Sequence, residues 1–133
     1  MSANIDVRSI MIDGNDCPIT DPLKLTIKFS SDKVIKNAHW EIKYVVDYAN
    51  KRHVVEVGKV EGVNIKKGVK HEFKFAVDAL DIGTMKKSVL LNMGLLLCTL
   101  KNRDKEIIQI SMVTQVTKDD KGNIMRTIFS PLG

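Results

Sequence analysis

Aromatic side chains are scarce in this chain: one Trp, two Tyr and four Phe among 133 residues. So few leave little surface on which the bases of a single-stranded nucleic acid could stack, and neither a recognition helix nor a zinc finger is discernible to read a duplex. Direct nucleic-acid binding is therefore not expected. Cysteine is as rare, with Cys17 and Cys98 alone, which excludes a disulfide framework and a cysteine-based metal site. Cys17 stands in the polar segment DGNDCP, and Cys98 lies inside an apolar run, where a buried structural thiol is expected rather than a nucleophile. No apolar run reaches the roughly 18 to 20 residues needed to span a bilayer, and MSANIDVRSI lacks the basic and apolar segments of a signal peptide. An intracellular location is the expectation.

Catalytic patterns are missing as well. His39, His53 and His71 are far apart, and none stands at metal-ligand spacing with a cysteine or carboxylate. There is no GxSxG, no phosphate-cradling glycine loop and no HExxH. Asp119 and Asp120 are adjacent in a turn-rich segment, which suits solvation rather than an acid and base pair. The chain is expected to be non-catalytic and to need no cofactor or metal.

What the sequence does contain is period-two alternation. A hydrophobic fraction of 44% and a charged fraction of 28% are those of an ordinary globule, and residues 1–133 read as one domain large enough for a core without disulfides or metals. The segment from Ser88 to Val116 anchors the pattern. Its first half, SVLLNMGLLLCTL, is apolar at nearly every position, as expected of a central strand covered on both faces. A helix over Val89 to Leu100 is the competing reading. After the charged turn KNRDK, the strand EIIQISMVTQV sends Ile108, Ile110, Met112 and Val116 to one side and Gln109, Ser111, Val113 and Gln115 to the other.

Ahead of this hairpin, Ile5 to Ile12 reads as a first strand closed by the turn segment DGNDCP. PLKLTIKF places Leu23, Leu25, Ile27 and Phe29 on one face, and WEIKYVVDY turns Trp40, Ile42, Tyr44 and Val46 inward after a polar link, SSDKVIKN. The link YANKRH leads to VVEVGKV, where Gly58 suggests a bulge. VKHEFKFAV alternates from Val69 to Val77 after a turn at NIKKG, and DALDIGTMKK reads as a crossover with a helical turn. TKDDKGN is a glycine turn, and NIMRTIFSPLG a short final element ended by Pro131. Short strands with turn signals about every ten residues and almost no helical period predict an all-β, antiparallel β-sandwich of about seven to nine strands.

The net charge of +5 and the pI near 9.2 would permit an acidic partner. The lysines are scattered, with Lys66, Lys67 and Lys70 together and Lys86 beside Lys87, the pattern of solvated faces and protected strand edges.

The order of these segments resembles the anti-silencing function histone chaperones, immunoglobulin-like sandwiches that bind the dimer of core histones three and four. Thr20, Asp21 and Pro22 lead into a strand with Ile27 and Phe29, followed by Trp40, Ile42, Tyr44 and Val45. Val57, Gly58 and Val60 come next, then Phe73, Phe75 and Asp78, then LLLCT, EIIQI and IMRTIF. The correspondence covers most of the chain, and its strength lies in order and spacing. It implies an immunoglobulin-like fold and a protein-binding surface on the central hairpin, with Leu95, Gln109, Ser111 and Val113 as the contacts.

Departures from the family bear on function. Gln109 stands where the family has an exposed arginine that pairs with histone groups, and His53, beside Lys51 and Arg52, where it has an acidic residue that grips the histone. The apolar contact on the preceding strand falls at Gly94 or Leu95. The family's surface is acidic and this chain is basic, and like charges facing each other weaken an interface. Beyond the positions of Ser130 to Gly133 the family has one more strand, which helps to hold the tail of histone four. Two readings follow: a divergent histone chaperone in the nucleus, or the same sandwich reused as a structural or adaptor subunit in the cytoplasm or cilium. The second would sit on an acidic scaffold protein such as a microtubule or axonemal surface.

Overall fold

The computed structural model describes residues 3–80 and 85–132. Among these residues, ladder pairing joins nine strands into two antiparallel sheets, as the alternation predicts. The smaller sheet orders β1 (Ile5–Asp13), β3 (Leu23–Ser31) and β6 (His71–Val77) as β1-β3-β6. The larger runs β2-β9-β8-β7-β4-β5, with β2 (Cys17–Pro18), β4 (Ile35–Tyr48), β5 (Lys51–Ile65), β7 (Gly94–Asn102), β8 (Lys105–Lys118) and β9 (Ile124–Ile128). One helical turn, α1 (Lys87–Leu90), precedes β7.

The core lies between the sheets and is made of the inward residues of each alternating strand. Leu23, Leu25, Ile27 and Phe29 of β3 are buried with Trp40, Ile42, Tyr44 and Val46 of β4, and with Ile110, Met112 and Val116 of β8. Trp40 joins the layers: its indole stacks on Phe73 with centroids 4.6 Å apart and meets Phe29 edge-on at 5.8 Å. Cys98 is fully buried in β7, and burial pushes its thiol up to about 12, as suits a structural cysteine.

The boundaries depart from the sequence reading where tertiary pairing outweighs local composition. Strand β7 begins at Gly94 rather than at Val89, because Val89 and Leu90 fold into α1 and are buried there. Strand β4 begins at Ile35 inside the expected polar link, since Ile35 pairs with Ile65 and is buried. The expected link YANKRH shrinks to Ala49 and Asn50, both at positive φ, and the chain from Lys51 onward pairs with β4. Val69 is exposed and precedes β6. The β4–β5 register shifts between Ile42 and Lys43, opposite Gly58 and Glu56, which places the expected bulge at Val57 beside the glycine. The part of the DALDIGTMKK crossover from Asp81 to Thr84 lies outside the described residues.

Strand β9 is held by an unusual tie. Ile124, Arg126 and Ile128 share the inward parity, so a guanidinium enters the interior, where Arg126 is 1% exposed. It donates to the backbone carbonyls of Gly14, Ile19, Asp21 and Pro22 at 3.0, 2.6, 2.9 and 2.8 Å. These bonds clasp the β1–β3 connection to β9 and satisfy a charge that would otherwise be very unfavourable at that depth. Gly14 makes the clasp possible: its φ is +122°, and a Cβ there would lie 2.9 Å from the Arg126 Nη2 and 2.6 Å from the Pro22 carbonyl.

Candidate protein-binding face

The outward residues of the larger sheet are set by the same alternation that buries its other face. Register places Val45 opposite Val54 on one side and Leu95 on the other, and Leu95 opposite Val113. Phe129, just after β9, donates its backbone N–H to the Val113 carbonyl at 2.9 Å. An apolar row, Val54, Val45, Leu95, Val113 and Phe129, therefore crosses the sheet at right angles to its strands. Val54, Val113 and Phe129 are 49%, 40% and 48% exposed, while Val45 is buried as the floor of the row. Met93, 64% exposed, immediately precedes the strand that carries Leu95.

Paired polar groups frame the row. Arg52 forks onto Asp47 at 2.9 and 3.1 Å, and its guanidinium holds that carboxyl below the ordinary range. Lys101 bonds Glu41 at 2.8 Å and lowers it in the same way. Lys43 faces Glu56 across the β4–β5 ladder, and Gln109 donates to Thr99 Oγ1 at 3.3 Å. A depression of about 200 Å³ lies between the row and these groups, lined by Val45, Val54, Leu97, Lys43, Lys101 and Gln109 among others. Glu41, Asp47, Glu56 and Glu106 are set against Lys43, Arg52 and Lys101 around it. The chain's excess positive charge is not on this face.

The residues singled out from the sequence do not all meet there. Leu95 and Val113 are cross-strand partners, Ser111 pairs with Leu97, and Gln109 pairs with Thr99, so these side chains share the outer face. Gly94 is turned inward: a Cβ at that position would collide with the hydroxyl of Tyr44, and of the two residues weighed for the apolar contact, Leu95 is the outward one. His53 pairs with Val46 and has the inward parity of Val55 and Val57, which takes it off the face. Arg52 stands on the face in its stead. Sequence reasoning missed Val45, Val54 and Phe129. Val45 and Val54 carried a faint signal, as apolar residues in the outward register of strands whose other outward residues are charged.

On this face Arg52 is paired with Asp47, Lys101 with Glu41 and Gln109 with Thr99, and no group of three or more His, Cys, Asp or Glu side chains that could hold a metal occurs among the described residues. Among those residues no helix is long and apolar enough to cross a membrane. What the arrangement offers is an apolar band with a polar rim that holds two ion pairs, the anatomy of a protein contact. The model of the ASF1-like histone chaperone family matches residues 2–127 of the chain. No curated protein matches it.

Proposed function

The chain belongs to the ASF1-like histone chaperone family, and from that premise we propose that it binds the dimer of core histones three and four through the outer face of its larger sheet. It acts as a non-catalytic chaperone in the nucleus. The observation that carries this reading is the continuous row from Val54 to Phe129, unbroken in register across β5, β4, β7 and β8. An amphipathic helix laid along such a band would bury its own apolar residues at positions spaced by three and four.

The charge reversal that argues against a basic partner is weaker at this face than in the chain as a whole, because the carboxylates of Asp47 and Glu41 are ionised and lie here. Gln109 cannot pair with a histone carboxylate as an arginine would, so affinity rests more heavily on apolar burial around Leu95 and Val113. The adaptor reading, with an acidic scaffold as partner, is favoured by a different feature, the lysines gathered at one end of the sandwich.

Calorimetric titration with a refolded dimer of histones three and four at physiological salt tests the proposal. The expected result is a saturable complex that Leu95→Glu or Val113→Glu weakens by about tenfold or more, the effect of losing a central apolar contact and burying a charge. No heat of binding at micromolar concentrations would overturn the histone reading and leave the adaptor reading, which rests on the basic end.

A further inference from the structure

The lysines are concentrated where three connections meet at one end of the sandwich. The Gly68 N–H donates to the Ser31 carbonyl at 2.9 Å, the Asn37 N–H to Asn64 Oδ1 at 3.0 Å, and the Asn102 amide to the Lys36 carbonyl at 2.8 Å. These bonds tie the start of β4 to the ends of β5 and β7, and the β5–β6 connection to the end of β3. Lys33, Lys36, Lys66, Lys67, Arg103 and Lys105 are thereby gathered at the same end, outnumbering Asp32, Asp104 and Glu106 among them.

A cavity of about 530 Å³ opens there. Two ladder irregularities shape it. The β4–β5 register shifts between Ile35 and Ala38, and the β7–β8 register shifts between Leu100 and Lys101, leaving Ile107 as an extra residue on β8. A bulge of this kind re-aims side chains, and Ile35 and Ile107 line the cavity together with Val34, which is 59% exposed. Lys33, Lys36 and Lys105 surround these apolar groups. Neither Lys36 nor Lys105 is in an ion pair among the described residues.

We propose that this cavity binds an acidic peptide segment carrying an apolar side chain, in a second site that meets the outer face only at Glu106. Charge complementarity selects the peptide's carboxylates, and Val34, Ile35 and Ile107 supply an apolar seat for one side chain between them. A nucleic-acid backbone would engage the lysines but leave Val34 uncovered, and no aromatic residue lines the cavity to stack a base.

Fluorescence anisotropy of a labelled peptide, glutamates around a single leucine, titrated with the full chain at physiological salt, tests the site. The expected result is saturable binding that Lys36→Glu with Lys105→Glu weakens by about tenfold, and that replacing the leucine by glycine also weakens. Lys24→Glu with Lys74→Glu, an equal charge change on the outer face of the smaller sheet, is expected to leave it unaltered. Equal losses in the two double variants would show a diffuse field rather than a site and would overturn the proposal. So would tighter binding of a duplex DNA oligonucleotide in competition with the peptide, or the absence of any saturable peptide binding. Matching melting curves of the variants exclude unfolding as the cause of a loss.

Discussion

The outer face of the larger sheet and the basic end of the sandwich present opposite solutions to the exposure of apolar surface. On the face, alternation along four strands lines up Val54, Val45, Leu95 and Val113, and the surrounding charges include the pairs Arg52 with Asp47 and Lys101 with Glu41. At the end, Val34 and Ile107 are brought together by interrupted ladders, and Lys36 and Lys105 beside them carry no carboxylate partner among the described residues. Regular pairing thus makes a nearly neutral band, and irregular pairing makes a concave, charged one. A net charge of +5 is a property of the whole chain and describes neither region.

Four changes would break or sharpen that contrast. The largest effect is expected from Arg126→Met, which removes the guanidinium from four carbonyls, of which that of Gly14 keeps the weaker Cys17 thiol as donor. It should cost about 3 to 5 kcal/mol in urea unfolding, within the range for disrupting a buried charged network. Hydrogen exchange should show protection lost first in β2 and β9, at the Phe129 end of the row, with the basic end retained. Uniform loss of protection would mean that the clasp supports the whole sandwich.

Next comes Leu95→Glu combined with Val113→Glu. These are direct cross-strand partners, and placing like charges opposite one another in the middle of the row should reduce histone affinity by about 100-fold, or roughly 2.7 kcal/mol. Anisotropy with the acidic peptide should not change. Loss of both activities would merge the two regions into one site.

Salt separates them more gently. Raising ionic strength from about 0.15 to 1 M shortens the screening length from roughly 8 to 3 Å, so peptide binding at the basic end should fall by about tenfold or more. Histone binding at the apolar row should change by less than about threefold. Equal slopes would indicate that charge governs both.

The smallest effect concerns acid. Arg52 depresses the Asp47 carboxyl below its ordinary value of 3.8 in the folded chain. The stabilisation it contributes is therefore present above that value and is lost as pH falls through the lower, folded one. Because the pair is exposed, Asp47→Asn should flatten only slightly the acid limb of stability followed by urea unfolding at successive pH values. A steeper acid limb in the variant would contradict the assignment.

Much of the sandwich was legible in the sequence. Strands β3 and β8 keep strict alternation because each has one core-facing and one solvent-facing side, and the burial of Leu23 to Phe29 and of Ile110 to Val116 follows it residue by residue. The run from Val89 to Leu100 was harder, since an apolar stretch without period cannot show where α1 ends and β7 begins. Arg126 was written in the inward parity of IMRTIF, yet a charge in that position is intelligible only once the four carbonyls it meets are known.

For the site, Gln109, Ser111 and Val113 could be placed on one hairpin face by counting, and the family resemblance left the contact on the preceding strand at Gly94 or Leu95, whereas Val54 and Phe129 could not be joined to them. Their neighbours in the row come from strands distant in sequence, and a cross-strand register is a tertiary property. His53 was misplaced relative to the face by a single residue, which in a strand is the difference between the two sides of the sheet.

By itself the sequence determined the class of fold, the inward and outward sides of its regular strands and the absence of the familiar catalytic motifs, because these depend on period and composition along the chain. The tertiary structure alone decided which outward residues touch, where charges cancel and where they accumulate. Those outcomes depend on strand order, on bulges such as the one at Ile107 and on the loops that meet at the basic end. Local pattern sets which side a residue faces, and only long-range pairing sets what it faces there.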